Sequence, residues 1–324
     1  MKEFIKKRVS FLFKYIIGFI LLFWILSRVD RVQMIDAISN IHFLVLISLL
    51  ALAIVNLGIQ FLRWKYLVES HSDHYDKKDL IPSFFAGFAF RLMIPGGHAE
   101  ITKVFLLPGK KRGKVVAFGI EKYFQTYIKL ILVLITIPLV FPEYRLVLWI
   151  AATIILGSYF FLPLIFRHSL MKKLQEKTVN YHKIFIMTLL YSIAIFCLLI
   201  YQYYVLLNDF NAIDFIDTSI SVIFIWGSGL LPISVSGLGV RENLAAFFLA
   251  KYGVPPYAAV GASLFIFFIN AIIPALIGLY FIIKRRHDLR DAEGTIKSVT
   301  KTIYQAGKQK LNDKRAAAQK PAKE

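Results

Sequence analysis

The chain has 324 residues, 57% of them hydrophobic and 15% aromatic, with a mean hydropathy of +0.62. A soluble fold cannot cover that much apolar surface, so the composition predicts a polytopic membrane protein. Lys and Arg number 39 against 20 Asp and Glu, a formal charge of +19, and the lone Cys197 excludes a disulfide framework or a multi-cysteine metal site.

In chain order, residues 1–10 read as a basic cytoplasmic N-terminus carrying Lys2, Lys6, Lys7 and Arg8. An apolar run at roughly 11–28 follows, and Trp24-Ile25-Leu26-Ser27-Arg28 stands where a signal peptide would place small residues for cleavage, so a retained signal anchor is expected. Further runs at roughly 43–62, 121–141, 146–166, 183–206 and 257–283 each suit a bilayer crossing of about 20 residues. Two regions, roughly 80–95 with 101–120 and 215–231 with 240–252, are apolar but cut by Pro and Gly into pieces of about 12–18 residues, a length that suits half-helices or re-entrant segments. The predicted fold class is therefore all-α, a polytopic helical bundle over residues 11–283 with broken-helix units around 80–141 and 215–283. The tail, 284–324, holds 12 Lys and Arg against 5 Asp and Glu and reads as a basic, partly disordered extension lying on anionic lipid.

Positive charge concentrates in alternate loops, at Lys77, Lys78, Lys110, Lys111, Arg112, Lys114, Arg167, Lys172, Lys173 and Lys177, whereas residues 208–214 carry none. The positive-inside rule then places both termini in the cytoplasm, and the protein in the inner (cytoplasmic) membrane. Basic residues at the ends of apolar spans favour an anionic membrane surface over nucleic acid as the partner of the net charge. Arg63-Trp64-Lys65 reads as an interfacial anchor, and His71 and His74 as solvated members of a polar loop.

The first break, Met93-Ile94-Pro95-Gly96-Gly97-His98-Ala99-Glu100, offers an imidazole and a carboxylate. Its Pro-Gly-Gly-His echoes an element of membrane phosphatidic-acid phosphatases, but the Arg-Pro and Ser-Arg-x5-His partners of that chemistry are absent. His98-Ala99-Glu100 lacks the Pro-Cys-x-x-Cys that zinc deaminases require. Neither a Gly-x-Ser-x-Gly elbow nor a Gly-x4-Gly-Lys-Ser/Thr loop occurs, so no catalytic residue, metal or cofactor is assigned.

Superposing Glu100 on Glu242 also aligns Gly97 with Gly239, Leu107 with Leu249, Ala117 with Ala259 and Gly119 with Gly261. The loop after the first unit, residues 109–114, is strongly basic, while its counterpart, 252–257, is uncharged. Two copies facing opposite leaflets are the signature of inverted-repeat transporters, whose sites lie at the broken helices near the midplane. Pro95, Gly96, Gly97 and Pro232 are the expected helix-break residues.

Gly237-Leu238-Gly239-Val240-Arg241-Glu242, an apolar helix and then Gly253-Val254-Pro255-Pro256 resemble the transmembrane, flippase-like domain of the lysylphosphatidylglycerol synthase family, over roughly residues 10–285. The earlier Pro-Gly-Gly…Glu break, Arg63-Trp64 and Ala117…Glu121-Lys122 fit the same family. The first break departs from the family's Pro-x-x-Gly-Glu form by inserting His98-Ala99, so no role passes to His98. The resemblance implies lipid handling or translocation without lysyl transfer, because no globular aminoacyl-transferase pattern is present.

Three clusters then carry the expected chemistry. The Gly237–Gly239 loop opens a helix whose N-terminus can hold phosphate, with Arg241 as a bidentate grip and Lys103 as its opposite number. Glu121, Lys122, Gln125 and Lys129 share one helical arc and should face a wet interior, since an unpaired charge at membrane depth costs at least about 2.5–3.5 kcal/mol. Glu100 and Glu242 are candidate gating or coupling groups alongside Glu121, Lys122 and Lys129; alternatively, Arg241 and Glu242 pair with Glu100 and Lys103 to hold the units together. The expected function is movement of an anionic phospholipid or polyprenyl-phosphate-linked glycan between leaflets, passively or driven by an ion gradient. The alternative is a membrane enzyme or accessory that presents a lipid-linked substrate to a separate transferase.

Overall fold

The computed structural model describes residues 2–73, 75–93, 99–167, 177–230 and 233–285; the predicted break residues Pro95, Gly96, Gly97 and Pro232, with His74 and His98, lie outside them. Among the described residues there is no β-strand. The helices are α1 (Lys2–Arg28), α2 (Arg31–Ser39), α3 (Phe43–His71), α4 (Lys77–Met93), a 3₁₀ segment (Ala99–Leu106), α5 (Arg112–Val140), α6 (Arg145–Ser158) and α7 (Leu162–Arg167). There follow α8 (Tyr181–Phe210), α9 (Phe215–Gly227), α10 (Val240–Ala250), α11 (Pro256–Phe267), a π turn (Phe268–Ile272) and α12 (Ile273–Lys284).

Five described stretches are long and apolar enough to cross a bilayer: Phe43–His71, Arg112–Val140, Pro142–Leu164, Tyr181–Phe210 and Pro256–Lys284. The protein is thus an all-α, multi-pass membrane bundle. The first expected span falls in α1, whose described apolar part, Tyr15–Arg28, is shorter than the others. One expected boundary moves. Residues 112–120 are not part of a chopped segment but the first turns of the 29-residue α5. At 1.5 Å per residue this puts Glu121 about 14 Å inside the helix instead of at its interfacial end.

α3 and α8 organise the rest. The Phe43 end of α3 and the Asn211 end of α8 share one core with α9, α10 and α11, through Leu49, Ala53, Tyr203, Leu207, Val222 and Leu249. Their opposite ends share a second core with α4, the 3₁₀ segment and α5, through Trp64, Leu67, Phe185, Phe84, Val104 and Phe124. The two broken units therefore dock at opposite ends of one antiparallel helix pair, the arrangement that inverted units require.

The units also exchange partners. α4 of the first packs on α12 of the second, and α9 of the second packs on α5 of the first. Gly278 permits the first contact, since a Cβ there would collide with the Phe85 carbonyl; Phe85 and Phe281 stack beside it, and Arg285 pairs with Asp79. Small residues let helix backbones approach closely where lipid offers no hydrophobic drive between them. α6 buries only Ala152 and leaves Leu146, Val147 and Ile154 exposed, a face that lipid tails cover.

Candidate functional site

Two sequence features build the site: glycines that admit charged side chains, and polar residues spaced along apolar helices. In the first unit a Cβ on Gly87 would press on Lys103 and Glu100 side chains at 3.0 and 3.2 Å. In the second, a Cβ on Gly229 would lie 3.2 Å from Lys129 Nζ. Gly87 and Gly229 correspond under the same shift that superposes Glu100 on Glu242, a repeat pairing not recognised from the sequence. Leu107 with Leu249 and Ala117 with Ala259 are buried alike, whereas Gly119 is exposed and Gly261 packs on Met34 and Ile38.

The first unit carries a buried ion network. Lys103 Nζ donates to Glu121 Oε2 at 2.6 Å and to Glu100 Oε1 at 3.3 Å, and lies 4.0 Å from the Trp64 ring centre. Arg63 Nη2 reaches Glu121 Oε1 at 3.3 Å while its Nη1 donates to Ser192 at 3.0 Å; Lys122 closes on Glu100 and Gln125. Arg63 and Trp64, at 1% and 0% exposure, are interior residues, which corrects their reading as an interfacial anchor. The physical reason is that Glu121 lies deep in α5 and needs an internal counter-charge, which Arg63 provides from the facing turn of α3. His71 is also interior, its Nδ1 2.8 Å from the Leu67 carbonyl, and is not a solvated loop residue.

In the second unit Glu242 turns back on its own helix. Its Oε2 accepts from the Gly239 N–H at 2.7 Å, and its Oε1 accepts from Arg241 Nη2 at 3.2 Å and Ser263 Oγ at 3.3 Å. The Gly239 amide is thus committed to a cap and is not offered to a phosphate. Gly237 and Gly239, at φ +77° and +80°, form the turn itself, and side chains rarely adopt that backbone. A Cβ at Gly239 would strike the Gly18 carbonyl of α1, and one at Gly237 would crowd Arg241. Ser263 and Glu121 correspond in the repeat, as do Ala245 and Lys103. Where the first unit has a second carboxylate it inserts a lysine between the two; where the second has a hydroxyl, no lysine is needed.

No described contact joins Glu100 or Lys103 to Arg241 or Glu242, so the cross-unit ion pairing expected as one alternative is replaced by pairing inside each unit. Arg241 is 2% exposed, stands 3.9 Å from the Phe267 ring centre and 5.1 Å from that of Trp226, and leaves Nε and Nη1 without a hydrogen-bond partner.

Between the units lies a cavity of about 120 Å³. α3 contributes Asn56, Gln60 and Arg63; α5 contributes Gln125, Ile128 and Lys129; α4 ends in it with Phe88 and Arg91. α8 supplies Ser192, Ile195, Phe196 and Leu199, α9 supplies Trp226, and the π turn supplies Asn270. Three cations line it and, among the described residues, no carboxylate does. Lys129 is there, as its arc predicts; Glu121, Lys122, Lys103 and Arg241 are not among the lining residues, and the Arg241 guanidinium lies 5.1 Å from the ring centre of the lining Trp226. Asn270 is fixed by its side-chain amide donating to Gln202 Oε1 at 2.9 Å, and its own Oδ1 is unpartnered.

Sequence reading passed over Arg91, Asn56, Gln60 and Asn270. Asn56, Gln60 and Arg63 were legible in principle, since offsets of four and three put them on one face of an otherwise apolar helix. Arg91 carried no such signal, because only the fold brings the end of α4 to mid-height.

The family described as Lysylphosphatidylglycerol synthase TM region matches residues 11–278. No curated protein matches the chain. With five bilayer-length apolar helices and a family match over most of its length, this multi-pass membrane protein belongs to the Lysylphosphatidylglycerol synthase TM region family.

Proposed function

We propose that the protein binds the phosphate head group of an anionic lipid, a phospholipid or a polyprenyl-phosphate-linked glycan, in the central cavity and moves it between leaflets of the inner membrane. One observation carries the reading: a cavity at mid-height between the two units, lined by Arg63, Arg91 and Lys129 and, among the described residues, by no carboxylate. Uncompensated charge in a membrane interior is costly, so it is retained where a ligand or a path for one uses it. Arg63 is offset by Glu121 at 3.3 Å, whereas among the described residues no ion pair reaches Lys129. An anionic head group would supply the missing counter-charge, with Asn56, Gln60 and Gln125 offering amides to its oxygens.

Movement across the membrane needs the cavity to open alternately to each side. The Glu100–Lys103–Glu121–Lys122 network is suited to gate this by exchanging partners, since Lys103 already bridges two carboxylates. Arg241, with two unused donors behind Trp226, would take over the phosphate as it passes to the second unit. The positive-inside asymmetry supports both termini in the cytoplasm.

The test is a leaflet-resolved assay with fluorescent phosphatidylglycerol in vesicles containing the purified protein. Lys129→Ala and Arg91→Ala should each slow translocation by about tenfold or more, as expected for removing one charge-assisted contact. Rates equal to wild type in both variants would sink the proposal.

A further inference from the structure

We infer that the segment Ala99–Leu106 is a two-state element, a 3₁₀ strut that converts to an α-helix and so withdraws Lys103 from between Glu100 and Glu121, with Ser83 and Lys111 holding the 3₁₀ form. This rests on the reading of the ion network as the gate beside the cavity.

The carrying observation is a mismatch between corresponding segments. Under the shift that superposes Glu100 on Glu242, residues 99–106 correspond to 241–248. The second stretch lies wholly within α10, an α-helix, while the first is a 3₁₀ run of 8 residues. Runs of more than about four residues in that form are uncommon, because its hydrogen-bond geometry is poorer. The first unit supports it with side chains that the second lacks. The Leu107 N–H goes to the Val104 carbonyl at 3.3 Å, and the Lys103 carbonyl, which an α-helix would give to that N–H, accepts from Ser83 Oγ at 2.7 Å. Lys111 Nζ donates to the Phe105 carbonyl at 3.3 Å and also to that of Leu107. The counterparts of Ser83 and Lys111 are Ile225 and Gly253, which have no side-chain donor. Ile101, Thr102 and Val104 are β-branched, which weakens the α form, whereas their counterparts Asn243, Leu244 and Ala246 are not.

The helical period decides what Lys103 meets. In a 3₁₀-helix residues i and i+3 eclipse, which sets Lys103 Nζ 3.3 Å from Glu100 Oε1. In an α-helix the same two residues stand about 60° apart around the axis, and eight residues span about 3–4 Å less. Conversion therefore turns Lys103 away from Glu100 and divides the network into two pairs already formed, Arg63 with Glu121 and Lys122 with Glu100. Each carboxylate keeps one cation, so neither is left buried and unpaired.

The experiment puts two nitroxides on the segment in a Cys197→Ser background, at Thr102→Cys with Phe105→Cys (i, i+3) or Ile101→Cys with Phe105→Cys (i, i+4), all partly exposed positions. The i, i+3 pair should show the stronger dipolar broadening with the native Ser83 and Lys111, and Ser83→Ala with Lys111→Ala should reverse the order. Amide deuterium exchange on the unlabelled proteins is an independent readout. Conversion should slow exchange over residues 99–107 severalfold in the double variant, whereas mere loss of support would quicken it. A stronger i, i+4 pair before the substitutions, an order they leave unreversed, or faster exchange overturns the inference. Translocation of fluorescent phosphatidylglycerol by the same unlabelled proteins separates the two readings. Reversal with no lipid moved by either protein removes the transport reading and leaves the switch. An unreversed order with lipid moved by the wild type removes the switch and leaves transport.

Discussion

Arg63 shows how a single residue changes meaning between sequence and structure. Beside Trp64 and Lys65 it looks like an interfacial cation, yet it is buried and bonded to Glu121 and Ser192. Removing one partner of a buried pair leaves the other charged and dry, which typically costs about 3–5 kcal/mol. Arg63→Ala should therefore lower the thermal unfolding midpoint in detergent markedly, and Glu121→Gln should do so less, because the amide still accepts from Arg63 or Lys103. A melting curve for Arg63→Ala that overlays wild type would show that Glu121 is neutralised by Lys103 alone. Trp64 acts at the same scale: its ring receives the Lys103 ammonium at 4.0 Å, a desolvated cation–π contact worth about 2 kcal/mol.

At the scale of elements, close approach depends on glycine. α12 meets α4 at Gly278, and α1 crosses the second break at Gly239, where Asn243 Nδ2 also donates to the Leu21 carbonyl at 3.1 Å. α1 reaches the first break too, through the Tyr15 hydroxyl on the Met93 carbonyl, so one helix touches both interruptions. Gly278→Val would drive a branched side chain into the α4 backbone. The expected result is loss of the folded, monodisperse peak in detergent size exclusion, or at least a fall of several degrees in unfolding temperature. Gly278→Ala should be milder but still destabilising, since its Cβ meets the Phe85 carbonyl. Wild-type behaviour of both variants would mean that the two helices separate easily.

Over the whole molecule, the two units dock at opposite ends of the α3 and α8 pair. The loop at Lys110 and the turn at Pro256 should then lie on opposite sides of the membrane. Both positions are exposed, and the single native cysteine, Cys197, can be replaced by serine to give a clean background. Lys110→Cys should react with a membrane-impermeant maleimide only in inside-out vesicles, and Pro256→Cys only in intact spheroplasts. Labelling of both from one side would refute opposed units.

The sequence by itself determined the membrane class and the all-α, multi-pass architecture. These follow from hydropathy, Pro and Gly placement and short-range spacing, which act along the chain and need no partner. It also placed Lys129 facing the interior, because a helical arc of charge in an apolar span has few other places to go. Only the tertiary structure decided which charges neutralise one another, and that decision makes the site. Arg63 is removed from the surface by Glu121, Lys103 is drawn from its expected phosphate role into the same network, and the Gly239 amide is taken by Glu242. What remains without an ion pair around the cavity among the described residues, Lys129 and Arg91, is a remainder left by pairings among α3, the 3₁₀ segment, α5 and α10. Counter-charge is assigned by distance in space, and no local pattern in the chain encodes it.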